Sequence, residues 1–396
     1  MNRTILLLTL MAFALCACNA HAAERTKKWT LLIFINADNN LDGAGVDDVT
    51  EMEKVGSTDD VNIITMLDRE GSGGTKTYYV EKEPGYGIQS PVIQDLPEQD
   101  MGDYNTLVDF FKFGVDNYPA EKYLVAIWNH GAGWQKNAAH QLIKGISYDD
   151  QSHNHMTTPQ LGLACKMMSE YIGRKIDIIS YDACLMQMAE VAAEVKDYGL
   201  VQVGAEETEP GDGWPYDDFC APLVASPDMD AKELGTVMVD TYCASYNGGS
   251  QGSRNTNQSA LDLTKFDAFL TKLDAFSVAM NENAHLTAIY KQAFGKTQAF
   301  YYSQYKDLGD YIKELCLLTD NAAVKAAGTE LKNFIDNEVV IRNGYVGSNL
   351  AESTGISIYI PTKSQLNDNI EAYRELKFAE ACHWDEFLQG VYFPNV

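Results

Sequence analysis

Lys175–Cys184 reads KIDIISYDAC. Ile176, Ile178 and Ile179 form a short β-branched apolar run, the pattern of a buried strand in a parallel sheet. The run ends in Tyr181, Asp182, Ala183 and Cys184. Leu185–Lys196 (LMQMAEVAAEVK) follows, rich in helix formers and free of Gly and Pro. The order predicts a strand, then Cys184, then a helix. Open α/β sheets hold their ligands at that carboxyl edge, and a helix N-terminus beside a thiol would favour its thiolate. Taken alone, the stretch fits a buried structural cysteine equally well, a common fate of this residue type.

Tyr123–Asn129 (YLVAIWN) is a second buried-strand pattern, followed by His130, Gly131, Ala132, Gly133 and Trp134. A histidine therefore also stands at a strand's carboxyl end. The interval from His130 to Cys184 leaves room for a helical crossover. Two parallel strands would bring imidazole and thiol to one edge, which is what nucleophilic catalysis needs.

Working outward, Trp29–Asn36 (WTLLIFIN), Val61–Leu67 (VNIITML), Gly145–Tyr148 and Leu200–Ala205 read as further strands. Helices are expected over Asp47–Val55, Tyr104–Asn117, Thr158–Ile172 (with Thr158 and Pro159 as N-cap and first-turn pair) and Ala231–Tyr246. This alternation implies an α/β fold with a mainly parallel central sheet flanked by helices. Lys76–Glu81 reads as an exposed hairpin strand, Pro84–Asp103 as a surface excursion and Gln135–Gln141 as a polar loop. Asn247–Asn257 (NGGSQGSRNTN) is the most linker-like stretch. It divides an expected catalytic domain, 23–250, from a C-terminal region, 251–396, with helices at Leu263–Met280, Tyr305–Leu318 and Asn321–Val339. A strand near 355–360 would return from that region to join the sheet.

The formal net charge of −26 argues against nucleic acid as a partner, whose binding needs a positive footprint. Such acidity serves solubility or attracts basic polypeptides. Residues 1–22 read as an export leader. Ile5–Ala17 is apolar but shorter than the ~20 residues that span a bilayer, as in a secretory signal peptide. Leu15-Cys16-Ala17-Cys18 resembles a bacterial lipobox, which would attach the protein to a membrane through a lipidated Cys18; Ala20-His21-Ala22 resembles an ordinary signal-peptidase site. Both place the protein outside the cytoplasm, in the cell envelope or secreted. Beyond the leader, Cys165, Cys184, Cys220, Cys243, Cys316 and Cys382 are widely spaced, with no CxxC pair to suggest zinc.

NHGAGW at 129–134 and DIISYDAC at 177–184 together resemble the clostripain family of cysteine peptidases, relatives of caspases, legumain and gingipains. WTLLIFINADNNLD at 29–42, SYDD at 147–150, GAEETEPGDGWPY at 204–216 and GISIYIP at 355–361 extend the likeness over most of the chain. The resemblance implies a caspase-like α/β sandwich and a cysteine endopeptidase. Cys184 would attack a peptide carbonyl as thiolate, His130 would move the proton, and the N–H groups of Gly131 and Cys184 would hold the oxyanion. A glycine after the histidine lets the carbonyl approach with no Cβ in the way. The family's Asp-Ala-Cys aspartate lines the pocket for a basic residue before the scissile bond, and Asp182 matches it. The resemblance thus implies polypeptide substrates cut after Arg or Lys. Charge agrees, since a carboxylate beside the nucleophile raises the thiol's pKa until a cation neutralises it.

The loop Glu206–Tyr216 follows a strand end and should border the same edge, so Glu206, Glu207, Asp212 and Trp214 are candidates for the pocket wall. Family members can be cut between the histidine and the cysteine. Here Lys136 and Lys144, in the polar loop region, are the candidate self-cleavage positions. No cofactor is required. Calcium is the one metal in view, because the family includes calcium-dependent members and hard oxygen donors gather at Asp149, Asp150 and near Asp38, although without EF-hand spacing. His153 and His155 read as part of a solvated loop. Two other readings use the same residues: a catalytically silent surface binding protein on this scaffold, and a hydrolase of non-peptide amides.

Overall fold

A nine-stranded sheet forms the centre of the computed structural model, which describes residues 26–71, 73–134 and 145–393. Its strands are β1 (Lys27–Ala37), β2 (Val61–Arg69), β3 (Gly74–Tyr79), β4 (Val92–Pro97), β5 (Ala120–Trp128), β6 (Ile176–Asp182), β7 (Gly199–Gly204), β8 (Thr256–Asp262) and β9 (Val340–Val346), in spatial order β9-β8-β7-β6-β5-β1-β2-β3-β4. The five strands from β7 to β2 are parallel, and an antiparallel pair flanks them on each side.

Alternation along β1 shows how the layers form. Leu32 and Phe34 face one core, shared with helices α2 (Tyr104–Asn117), α3 (Thr158–Ile172) and α4 (Ala189–Val195). Leu31, Ile33 and Ile35 face the other, shared with α1 (Asp42–Glu53), α5 (Tyr216–Ala225) and α6 (Ala231–Tyr246). Both faces of the central strands are buried, which is why they read as continuous apolar runs rather than alternating ones. Trp128 pairs with Asp182 and with Ile35, so β1, β5 and β6 end level and open one carboxyl edge.

Several details differ from the sequence reading. The excursion after Pro84 contains β4, an edge strand, where prolines and acids are tolerated. The N-cap of α3 is Thr157, in a capping box with Gln160, so Thr158 and Pro159 are the first two helical residues. Ser357–Tyr359 does not join the central sheet; it pairs with Tyr305–Asp307 in a ribbon of its own. The sheet is instead extended by β8 and β9, both from beyond residue 250, and the linker-like stretch holds a small hairpin leading into β8. Helices at Phe266–Glu282, Leu308–Leu318 and Ala322–Phe334 then pack into the same core as α3 and α4. Among the described residues no helix is long and apolar enough to cross a membrane. Cys18, the rest of the leader, Gln135–Gln141, Lys136 and Lys144 lie outside the described residues.

The largest correction concerns the residues after Cys184. The helix begins at Ala189, not Leu185. The intervening backbone pairs with neighbouring segments instead: Leu185 N–H donates to Glu207 O, Gln187 N–H to Ala205 O, and Ser357 N–H to Gln187 O. Leu185 adopts a left-handed conformation (φ 64°). Cys184 therefore has no helix N-terminus beside it, and the expected dipole support for a thiolate is absent.

Candidate active site

The carboxyl ends of β5 and β6 open into a cavity of about 260 Å³ lined by His130, Cys184, Asp182, Trp128, Glu209, Pro210 and Gly211. Asn129, just past β5, is tied across to β6 through its N–H and the Asp182 carbonyl (3.2 Å) and fixes the turn beneath His130 through its side-chain bonds to Asn36 O and Tyr148 O. His130 Nε2 lies 2.9 Å from Asn40 Oδ1, on the segment between β1 and α1. With that nitrogen donating, Nδ1 is the basic one. Burial holds the imidazole below its ordinary pKa, with Asp150 opposing the shift.

The Cys184 thiol is partly covered. Its sulfur accepts the Glu209 N–H at 3.3 Å. Burial first, and then the charge of Glu209, push the thiol up to about 12. Among the described residues no hydrogen bond joins His130 to Cys184, so this is a resting arrangement with a neutral imidazole and a protonated thiol. Among the described residues no backbone carbonyl accepts the N–H of Gly131 or of Cys184. A Cβ on Gly131 would lie 2.3 Å from the Cys184 carbonyl oxygen, a backbone contact that cannot give way, so only glycine fits where the two strand ends meet.

Asp182 is buried at the cavity floor. Its Oδ2 accepts the Tyr216 hydroxyl (2.9 Å) and the Trp214 N–H (3.4 Å). Burial raises its pKa to about 6, offset by those bonds and by Glu209, whose carboxyl is close enough to share a proton with it. Glu209 is itself pushed well up by burial and by Asp182, and accepts Trp214 Nε1–H at 3.2 Å. Behind them Asp48, on α1, accepts Trp128 Nε1–H at 2.6 Å and is raised by burial and by the Asp182 charge. Three carboxyl groups thus gather beneath the thiol, and no lysine or arginine lines the cavity.

The other candidates fall elsewhere. Trp214 braces Asp182 and Glu209 from behind. Glu207 turns away to accept the Thr208 and Tyr301 N–H groups. Glu206 is buried against Asn257 and Gly355. Asp212 is exposed and borders a separate surface cavity with Asp47, Glu51 and Gln251. Asn40, Asp48 and Glu209 were not foreseen. Glu209 lay inside the loop already singled out and its distance from the strand end was the only available signal; Asn40 and Asp48 come from a segment ninety residues or more away in sequence, which no local pattern links to Cys184. All six described cysteines are free thiols.

The model of the clostripain family matches residues 33–390. The chain belongs to the clostripain family. It is therefore a cysteine peptidase, a hydrolase acting on polypeptides. Clostripain of Hathewaya histolytica is 22% identical over 401 aligned positions, covering 85% of this chain and 75% of that protein. Among solved structures, a secreted C11 cysteine protease from Bacteroides thetaiotaomicron, in complex with an irreversible peptide inhibitor, superimposes with a TM-score of 0.68 at 20% identity, covering 91% of this chain and all of that one. An inactive zymogen C11 protease from Parabacteroides distasonis gives a TM-score of 0.69 at 18% identity, covering 90% of this chain and 98% of that one. At these identities the structural matches bear on the fold, and the mixed α/β architecture with a mainly parallel sheet is shared with both.

Proposed function

We propose that the protein is an exported endopeptidase that cuts after Lys or Arg using Cys184 as nucleophile and His130 as proton carrier. The observation that carries this reading is the cavity itself: an imidazole and a thiol at its mouth, and Asp182, backed by Glu209 and Asp48, at its floor. An uncompensated acidic floor is costly when empty and is relieved by a cation. A lysine or arginine side chain entering the cavity supplies that cation, and the same charge lowers the thiol's pKa beside it.

Once the thiol has lost its proton to His130, the sulfur forms a bond to the substrate carbonyl carbon. The N–H groups of Gly131 and Cys184, which no backbone carbonyl accepts, are the donors available for the resulting oxyanion. Collapse of that intermediate breaks the C–N bond, the amine leaves with the proton from His130, and water then hydrolyses the thioester. Binding of the correct side chain and generation of the nucleophile are thereby linked. Export, attachment through Cys18, and self-cleavage after Lys136 or Lys144 belong to the same proposal; the secreted relative supports the first of these.

The test is hydrolysis of paired fluorogenic peptides ending in Arg, Lys, Asp or Asn, by the wild-type chain before and after limited trypsin nicking, with Cys184→Ala as control. Cleavage confined to Arg and Lys and lost in the variant is expected. Cleavage after Asp or Asn alone would overturn the role given to Asp182.

A further inference from the structure

The turn from Phe300 to Tyr305 comes from the C-terminal region, yet it is tied to both halves of the active site. The Tyr301 N–H donates to Glu207 Oε1 at 3.0 Å, and the Glu207 carbonyl accepts the N–H of Leu185, the residue after Cys184. On the other side the Tyr305 hydroxyl donates to the carbonyl of Ala132, two residues past His130, at 2.7 Å. The turn is closed on itself by Tyr305 N–H to Tyr302 O (2.8 Å) and Phe300 N–H to Tyr305 O (3.0 Å). Gln304 is held by the Ile360 N–H and the Gln365 side chain. Tyr301 and Tyr302 are therefore presented on anchored backbone, which costs a bound partner less ordering than a loose loop would.

Two observations place these rings beside the reacting atoms. The Tyr302 hydroxyl lies within electrostatic reach of the Cys184 thiol. It also bears on Tyr148, whose N–H donates at 2.7 Å to the side chain of Asn129, the residue before His130. The Tyr302 ring meets the Tyr305 ring edge-on, with 5.6 Å between centroids, and the Tyr301 ring at 5.1 Å. Tyr302 is half-buried and Tyr301 is 64% exposed. A lone exposed tyrosine is ordinary, as at Tyr86. Tyr301 differs because ring contacts connect it, through Tyr302, to the surroundings of the thiol.

The direction of the chemistry decides which substrate residue meets these rings. His130 hands its proton to the departing amine, so the chain beyond the cut leaves on the His130 side. The side chain before the cut enters the acidic cavity, which neither tyrosine lines. Through Tyr305 and Tyr148, Tyr302 belongs to the His130 side.

We propose that Tyr301 and Tyr302 form a subsite for a large apolar or aromatic side chain on the substrate residue just after the scissile bond. The inference rests on Cys184 and His130 acting as proposed above. Two tyrosine rings recognise such a side chain by removing its apolar area from water and by edge-to-face contact, while their hydroxyls stay wet. Covering one face of a phenylalanine in this way should favour it over glycine by about tenfold in kcat/KM.

The experiment uses the full chain and internally quenched peptides with Lys before the cut and Phe, Leu, Gly or Asp after it. A matching set varies the residue before Lys. The fluorogenic peptides of the assay above end at the residue before the cut, so their hydrolysis reports on the proposed function alone. The wild-type chain should prefer Phe and Leu over Gly by about tenfold. The Tyr301→Ala, Tyr302→Ala double variant should bring that ratio to within about twofold, and Tyr301→Phe, Tyr302→Phe should restore it because the rings remain. The ratio does not depend on how much enzyme is folded. Should the double variant cut no peptide at all, Tyr301→Ala alone, at an exposed position, should still lower the ratio about threefold. A wild-type chain that cuts the fluorogenic peptides but treats Phe, Leu and Gly alike would overturn the proposal and leave the proposed function standing. So would a preference that survives loss of both rings, or one confined to the residue before Lys.

Discussion

The backbone N–H of Glu209 donates to the sulfur of Cys184 at 3.3 Å, so the residue whose charge most opposes thiolate formation also caps the thiol. Converting both floor acids to amides should uncouple the two effects. In the Asp182→Asn, Glu209→Gln variant the thiol loses its negative neighbours, and alkylation of Cys184 by uncharged iodoacetamide near neutral pH should speed up about tenfold, one pKa unit's worth of thiolate. Cleavage after lysine should fall at the same time. Mass spectrometry of the labelled peptide over time checks the first, and the peptide assay the second. An unchanged labelling rate would show that burial alone sets the thiol's state.

Asp48 does not line the cavity and bears on it through its charge interaction with Asp182. Asp48→Asn keeps an acceptor for Trp128 Nε1–H while removing that charge. KM for lysine and arginine peptides should rise by up to about tenfold, equivalent to ~1.4 kcal/mol, with kcat little changed. A fall in kcat at constant KM would place Asp48 in the chemistry rather than in recognition.

Asn40 is exposed, so Asn40→Ala should change stability by no more than about 0.5 kcal/mol. It should lower kcat about ten- to a hundredfold by freeing the His130 ring, with KM unchanged. Asn40→Asp gives a sharper readout. A carboxylate at 2.9 Å favours the imidazolium and raises the pKa of His130, so the acidic limb of the pH–rate profile should move to higher pH. An unmoved limb would mean that the limb belongs to another group.

Glu190, on α4, is buried and accepts the Tyr359 N–H and the Tyr373 hydroxyl, while its Oε2 has no partner. Burial lifts its pKa to about 7. The folded value lies above the unfolded one, so the fold favours the neutral acid. This contribution is complete below about pH 4.5, is lost as pH rises through about 7, and amounts to a few kcal/mol. Glu190→Gln removes the titration. The drop in Tm between about pH 5 and about pH 8 should be smaller in the variant than in the wild-type chain, as scanning calorimetry would show. Parallel curves would assign the pH dependence to other carboxyls.

The parallel strands were legible because burial on both faces demands near-continuous apolar runs, and Tyr123–Ile127 and, with Asp177 the one exception, Ile176–Ile179 supply them. The meeting of His130 and Cys184 at one edge followed from strand direction alone. What stayed hidden was set by contacts between distant segments. β8 reads TNQSALD and looks like the end of a linker, yet it is buried throughout: its Asn257 and Ser259 serve Glu206, Glu207 and Gln187 with hydrogen bonds that hold the wall of the site. Helix propensity over Leu185–Met188 was overridden by pairing with residues 205, 207 and 357. Glu207 and Asp212 drew notice by charge, but which loop acid points inward depends on the turn between Pro210 and Gly213, not on residue type.

The bond from Ser357 N–H to the Gln187 carbonyl also has a consequence in time. A polypeptide is made from its amino end, so His130 and Cys184 leave the ribosome long before residue 357 exists. Until then the segment that follows Cys184 lacks the neighbour that shapes it. If Cys184 and His130 act as proposed, a chain stopped before residue 357 carries both side chains without the neighbour that shapes the 185–188 segment, and should show no peptidase activity.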